Sequence, residues 1–145
     1  MIFPAITLAV TASLALVFLG LCINVSRYRI STGISLGDGS REGPPHYVMG
    51  DEKSAPRLFV ASRSLANFAE YVPLSLALLL IIEMVGAPRW AVATLGCMLV
   101  ASRLMHPIGM QLRAPNPFRA GGILLQWLVL LLGAIYGLLL VPGLL

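Results

Sequence analysis

A chain of 145 residues that is 58% hydrophobic and only 11% charged, with a mean hydropathy of +0.88, lies outside the range of an ordinary soluble domain. It is an integral membrane protein, with room for one helical bundle and no separate soluble domain. The net charge of +4 and a pI near 9.6 reflect membrane topology and contact with anionic lipid or substrate, and no nucleic-acid partner is expected.

Four apolar segments follow one another at about residues 2–25, 58–86, 88–111 and 117–141. Each is near or above the roughly 20 residues that span hydrocarbon, which predicts an all-α bundle of four transmembrane helices. The first, within "MIFPAITLAVTASLALVFLGLCINVSRYR", has no basic residue ahead of its apolar run. The run is also longer than the ~7 to 15 residues of a signal-peptide core, so it reads as a retained helix.

Positive charge comes after it. Arg27 and Arg29, then Arg41, Lys53 and Arg57, occupy a first loop at about 26–57, and Arg113 and Arg119 flank the third loop. The opposite side has Arg89, offset by Glu83. The positive-inside bias then puts the first and third loops in the cytoplasm and both termini outside. "STGISLGDGSREGPPHYVMGDEKSAP" is rich in Gly, Pro, Ser and charge and reads as loop. Its "GISLGDGS" lacks the Gly-Lys-Ser/Thr ending and the preceding strand of a phosphate loop.

The second helix is expected to start near Ala55 to Arg57 and to reach about Val85. That is about 45 Å at ~1.5 Å per residue, so its first turns project into the cytoplasm. Within it "RSLANFAEYVP" sets Arg63, Asn67 and Glu70 at i, i+4 and i+7, on one helical face. Glu70 precedes Glu83 by about 20 Å of helix, which puts it inside the membrane toward the cytoplasmic face. An ionisable group at that depth marks a site, or it belongs to a structural ion pair with Arg63 or Arg103. Glu83 and Arg89 sit near the outer interface and need no function.

Gly86, Ala87 and Pro88 make the outer turn, with Pro88 suited to the first position of the third helix. There "RLMHPIGM" sets Arg103, His106 and Met110 on a second face, and Gly109 leaves room for a helix or a ligand. His106 is either an interhelical hydrogen-bonder or a site residue. The charge of Arg103 lies in a bundle with few carboxylates, so an anionic ligand is its natural partner. Pro73 and Pro107 each remove a backbone hydrogen bond beside these polar residues. Cys22 and Cys97, with no paired spacing and no nearby metal ligands, are packing residues.

The fourth helix opens with "PNPFRAGG". Asn116 is a good N-cap and Pro117 a good first residue, which puts Arg119 in the first turn. A cation there opposes the helix dipole, and with free backbone N–H groups it makes an anion site; the other reading is a positive-inside anchor against lipid headgroups. Several arginines and one carboxylate open to the cytoplasm, which suits a small zwitterion with excess negative charge. Glutathione has two carboxylates, one ammonium and a thiol. Arginines can fork to the carboxylates, Glu70 can receive the ammonium, and an arginine near the sulfur favours the nucleophilic thiolate.

"RSLANFAEYVP", "ASRLMHPIG" and "LRAPNPFRAGG" together resemble the MAPEG family, membrane-associated proteins in eicosanoid and glutathione metabolism, and "GISLGDG" resembles its bacterial members. The resemblance covers nearly the whole chain. It implies a homotrimer of four-helix protomers with glutathione, a co-substrate, in a cleft between neighbouring copies, and it implies no metal. Carried over by position, Arg63, Asn67, Glu70 and Tyr71 hold glutathione from the second helix, and Arg103 and His106 from the third. Arg119 matches the arginine that stabilises the thiolate, with Arg113 its rival because the third connection is slightly longer. Arg27 or Arg29 takes the basic position at the end of the first helix.

Met110 and Ile123 stand where eicosanoid-forming members carry hydroxyls, so a prostaglandin or leukotriene synthase is not implied. The function implied is a trimeric inner-membrane transferase or peroxidase acting on hydrophobic electrophiles, or lipids, that arrive through the bilayer. The alternative is a non-catalytic lipid- or glutathione-binding scaffold of the same fold. A small four-span exporter ranks third, since its usual carboxylate lies in the first helix and this one has none.

Overall fold

A computed structural model describes residues 3–32 and 57–143. These form four α-helices, α1 (Ala5–Thr32), α2 (Arg57–Met84), α3 (Arg89–Gln111) and α4 (Pro117–Leu140), with a short 3-10 turn at Val141–Gly143. All four helices are long and apolar enough to cross a membrane. The protein is a multi-pass, all-α integral membrane protein. "GISLGDG", Arg41 and Lys53 lie outside the described residues.

Two helix starts and stops differ from the sequence reading. α1 continues to Thr32, so Arg27 and Arg29 ride on its final turns and not in a loop. The apolar run ends near residue 25, but no glycine or proline follows until Gly33, so nothing in the chain stops the helix where the hydrocarbon does. Arg29, in the last turn, complements the negative end of the helix dipole. α3 begins at Arg89 with Pro88 as its N-cap, one residue later than expected. The Pro88 carbonyl accepts from Ala91 and Val92 N–H at 3.0 and 3.3 Å.

The outer turn between α2 and α3 has a specific geometry. Gly86 N–H donates to the Glu83 carbonyl at 3.1 Å and Ala87 N–H to the Ile82 carbonyl at 3.3 Å. This is the paired pattern of a Schellman motif, which needs a left-handed residue at its first non-helical position. Gly86 supplies it, with φ 89°, and buried Ala87 and Ile82 make the accompanying apolar contact. Pro73 and Pro107 do not break their helices, which run through both.

The core is drawn from all four helices, with Leu14 and Leu21 of α1, Phe68, Val72 and Ile82 of α2, Val92 and Leu99 of α3, and Val129 of α4 all buried. α4 buries only Gly122, Gln126, Val129 and Gly133. Their spacing of four, three and four makes one narrow stripe, and the rest of the helix turns leucines and Trp127 outward. α3 and α4 approach closest at two glycines. A methyl on Gly122 would lie 2.7 Å from the His106 nitrogen, and one on Gly109 would collide with the backbone of Arg119. The room beside Gly109 is therefore taken by α4, in the manner of small-residue contacts between membrane helices.

Glu83 is not an interfacial residue without a task. It is 6% exposed and closes the outer end of α1. The start of that helix has no capping side chain of its own, because Pro4 stands where a serine or aspartate would. The Glu83 carboxylate takes over from across the bundle, accepting from Ile6 N–H at 3.0 Å, Thr7 N–H at 2.7 Å and the Thr7 hydroxyl at 2.6 Å. A negative charge at a helix N-terminus is also favoured by the dipole. The contact fixes the register of α1 against α2.

Candidate functional site

The polar residues of α2 and α3 meet about Arg103. Its side chain is 1% exposed, and three groups hold it. Nη1 donates to Asn67 Oδ1 at 2.8 Å, Nε donates to the Ser102 hydroxyl at 3.1 Å, and the guanidinium carbon stands 5.8 Å from the centre of the Tyr71 ring, within cation–π range. None of these neutralises the charge. Nη2 is buried with no hydrogen-bond partner among the described residues, a condition it shares there with the Ser62 hydroxyl. An unpaired guanidinium edge in a membrane interior is costly, and a buried polar group left unsatisfied in a native structure marks strain, a catalytic role, or a place for water, an ion or a ligand.

Behind Arg103 runs a chain of hydrogen bonds that reading the sequence did not find. Ser102 Oγ lies 2.7 Å from the Leu99 carbonyl and 3.3 Å from Gln126 Oε1. Gln126 Nε2 donates to the Ser75 hydroxyl at 2.8 Å, and Ser75 donates to the Tyr71 carbonyl at 2.9 Å. Gln126 is 0% exposed. A lone amide in the otherwise apolar run "GGILLQWLVL" was the available signal, since a polar side chain within a span must find a partner on a neighbouring helix.

The other candidates are not gathered at Arg103 within the single chain. Arg63 and Glu70 are exposed on α2, and no ion pair joins either of them to another described residue, so the structural pair of Glu70 with Arg63 or Arg103 is absent there. His106 is buried and its Nδ1 lies 3.4 Å from the Arg119 carbonyl, a contact that requires the proton on Nδ1 because a carbonyl only accepts. It ties α3 to α4 as an interhelical hydrogen-bonder. Arg27 and Arg113 are exposed, and Arg29 and Met110 half-buried.

The start of α4 is built as its sequence suggests. Asn116 is the N-cap, with Pro117 following; its Oδ1 accepts from Arg119 N–H at 2.9 Å and its Nδ2 donates to the Gly109 carbonyl at 2.9 Å. The cap uses one of the N–H groups expected to bind an anion, and Pro117 has none. The Phe118 N–H and the Arg119 guanidinium, half-buried in the first turn, are what remain there for an anion.

This arrangement, a buried arginine with one free edge and an outward-facing arginine and glutamate on the adjoining helix, sits in a sequence that matches the MAPEG family over residues 7–139. The chain belongs to the MAPEG family. MAPEG proteins are membrane proteins with glutathione-related transferase and peroxidase members. The chain is 31% identical over 128 residues to "Inner membrane protein YecN" of Escherichia coli strain K12, covering 88% of this chain and 86% of that protein. It has the same identity and coverage with YecN of Escherichia coli O6:H1. No solved structure matches. The match takes in α2, α3 and the start of α4, so every helix contributing to the Arg103 cluster lies within the MAPEG region.

Proposed function

We propose that this chain is a glutathione-dependent transferase or peroxidase of the bacterial inner membrane, assembled as a homotrimer, with glutathione bound where neighbouring copies meet. The observation that carries the reading is Arg103, buried in a membrane bundle with Nη2 unpartnered among the described residues. A carboxylate arriving there supplies the missing acceptor and the missing charge together.

Arg63 and Glu70 support the same reading. Both face outward on α2; Glu70 lies within the span, where a charged side chain left against hydrocarbon costs up to roughly 2.5–3.5 kcal/mol at its centre, and Arg63 lies about two turns nearer the cytoplasm. A neighbouring copy and a zwitterionic ligand cover them, with Glu70 receiving the ammonium and Arg63 a carboxylate. Asn67 and Tyr71 already hold Arg103 in place, His106 seats α3 on α4, and Arg27 or Arg29 closes the cytoplasmic mouth.

The chemistry is attack by the glutathione thiolate. In the transferase reaction its sulfur forms a bond to an electrophilic carbon and the leaving group departs with its electron pair. In the peroxidase reaction the sulfur takes the terminal oxygen of a hydroperoxide, releasing the alcohol, and a second glutathione then gives the disulfide and water. Arg119 stabilises the thiolate, Arg113 being its rival. A thiol near ~8.5 that is lowered by about 2 units requires about 2.7 kcal/mol of differential stabilisation, within reach of one partly desolvated arginine. Electrophiles enter from the lipid.

Glu70→Gln is expected to weaken glutathione binding about tenfold in titration calorimetry, the loss of one charge-assisted contact. Oligomer size in the same detergent stays unchanged. Collapse of the oligomer with glutathione affinity retained in the remaining assembly would mean that Glu70 is a subunit contact and not part of the ligand site.

A further inference from the structure

The structure assigns Gln126 a task in the site without contact to any ligand: we propose that it is the positioning residue that aims the free edge of Arg103. The directions of the hydrogen bonds can be worked out from what each group is able to give. Arginine only donates, so Ser102 Oγ must accept from Nε. The Ser75 hydroxyl spends its single proton on the Tyr71 carbonyl, so it must accept from Gln126, which turns Nε2 toward Ser75 and Oε1 toward Ser102.

The Ser102 hydroxyl has a single proton and divides it, the 2.7 Å bond to the Leu99 carbonyl taking the larger share and Gln126 Oε1, at 3.3 Å, the longer arm. With Gln126 present, the oxygen lone pair left to Ser102 faces Arg103. Through that longer arm the contacts lead from Arg103 by way of Ser102, Gln126 and Ser75 to the backbone of Tyr71.

The chain also ends where it began. Tyr71 supplies the last carbonyl and the ring beside the guanidinium. Asn67, one turn earlier on α2, takes Nη1. Arg103 is thus held from both sides by a single segment of α2, once directly and once by way of α4. With Nε and Nη1 both engaged, the planar guanidinium has one direction left for Nη2.

Gln126 is the long link in this loop, and no apolar residue of its size can replace its two bonds. As an α2–α4 tie alone it would need Ser75 but not Ser102. The second bond, to the residue that holds Arg103, distinguishes positioning from simple adhesion between helices.

The test reads Arg103 directly. In 15N-labelled protein in detergent, the Arg103 Nε–H resonance is identified by its loss in Arg103→Lys, and its exchange with solvent is measured. Gln126→Leu is expected to speed that exchange about tenfold, the scale of one lost hydrogen bond. Ser102→Ala is expected to do the same, and the double variant no more than either alone, because both cut one chain.

Val129→Ala, on the same buried stripe of α4, is expected to lower thermal stability without changing the exchange. Ser75→Ala, a milder change at the far end, is expected to speed exchange about threefold, and serves if Gln126→Leu fails to fold. Unchanged Nε–H exchange in Gln126→Leu, or in Ser75→Ala if that is the variant that folds, would overturn the proposal.

A second reading rests on the glutathione assignment above. Reduced glutathione is expected to bind about tenfold more weakly to Gln126→Leu. If wild-type protein binds no glutathione, that assignment falls while the exchange measurement still decides the role of Gln126.

Discussion

Replacing Arg103 by methionine is expected to weaken glutathione binding about a hundredfold while changing the stability of the ligand-free protein by less than about 1 kcal/mol. The two numbers come from different parts of the same side chain. A carboxylate bound at Nη2 gains a charge-assisted hydrogen bond and the attraction of a desolvated charge, together about 2.7 kcal/mol, which is a hundredfold in affinity. In the free protein the same charge is a liability, since Arg103 is 1% exposed and among the described residues meets only neutral partners in Asn67, Ser102 and Tyr71.

Methionine fills most of the volume, removes the desolvation cost and gives up two neutral-acceptor hydrogen bonds, so the changes nearly offset. Titration calorimetry and thermal unfolding in one detergent measure both. A structural arginine would behave in the opposite way, with stability falling by several kcal/mol.

Glu83→Gln is expected to destabilise the protein by about 3 kcal/mol and to leave the intrinsic affinity for glutathione unchanged. The isosteric amide has one acceptor where the carboxylate has two, so it cannot serve Ile6 N–H and the Thr7 groups together, and its NH2 would be pressed against a backbone donor. One buried donor is left unsatisfied, charge-assisted bonds become neutral ones, and the favourable charge at the start of α1 is lost.

Thr7→Val removes only the hydroxyl arm and should cost about 1 kcal/mol. Both are measured by unfolding in mixed micelles. Since Glu83 lies about 20 Å along α2 from Glu70, binding by the folded fraction is a control that separates the clamp from the site.

What could be read in the sequence was what short stretches decide. "PNPFRAGG" carries its own cap and first residue, and the structure has Asn116 and Pro117 in those places. Gly86 announces a left-handed turn residue within five residues of chain. The polar faces of α2 and α3 followed from helical periodicity, and the structure does bring Asn67, Tyr71 and Arg103 together.

The rest depended on residues far apart. Glu83 reaches a partner 77 positions away in Ile6, and Gln126 one 51 positions away in Ser75. No local pattern specifies either pairing. The end of α1 was misplaced for another reason, since the apolar run records where hydrocarbon ends and not where backbone hydrogen bonding stops. Arg63 and Glu70 matched the site pattern equally well, yet in the single chain they face outward. Under the proposed assignment their partners belong to a neighbouring copy or to the ligand, which one chain does not contain.

Binding of glutathione as the thiolate is read in the ultraviolet difference spectrum of purified protein titrated with reduced glutathione near neutral pH, with proton release recorded in parallel. A saturable thiolate band and release of a proton on binding are expected, both lost in Arg119→Ala and both kept in Arg113→Ala. In Arg119→Lys part of the band remains, because the charge is kept and the planar fork is not. Saturable binding with no thiolate band and no proton release in the wild type would contradict the enzyme assignment and leave a protein that holds glutathione without activating it.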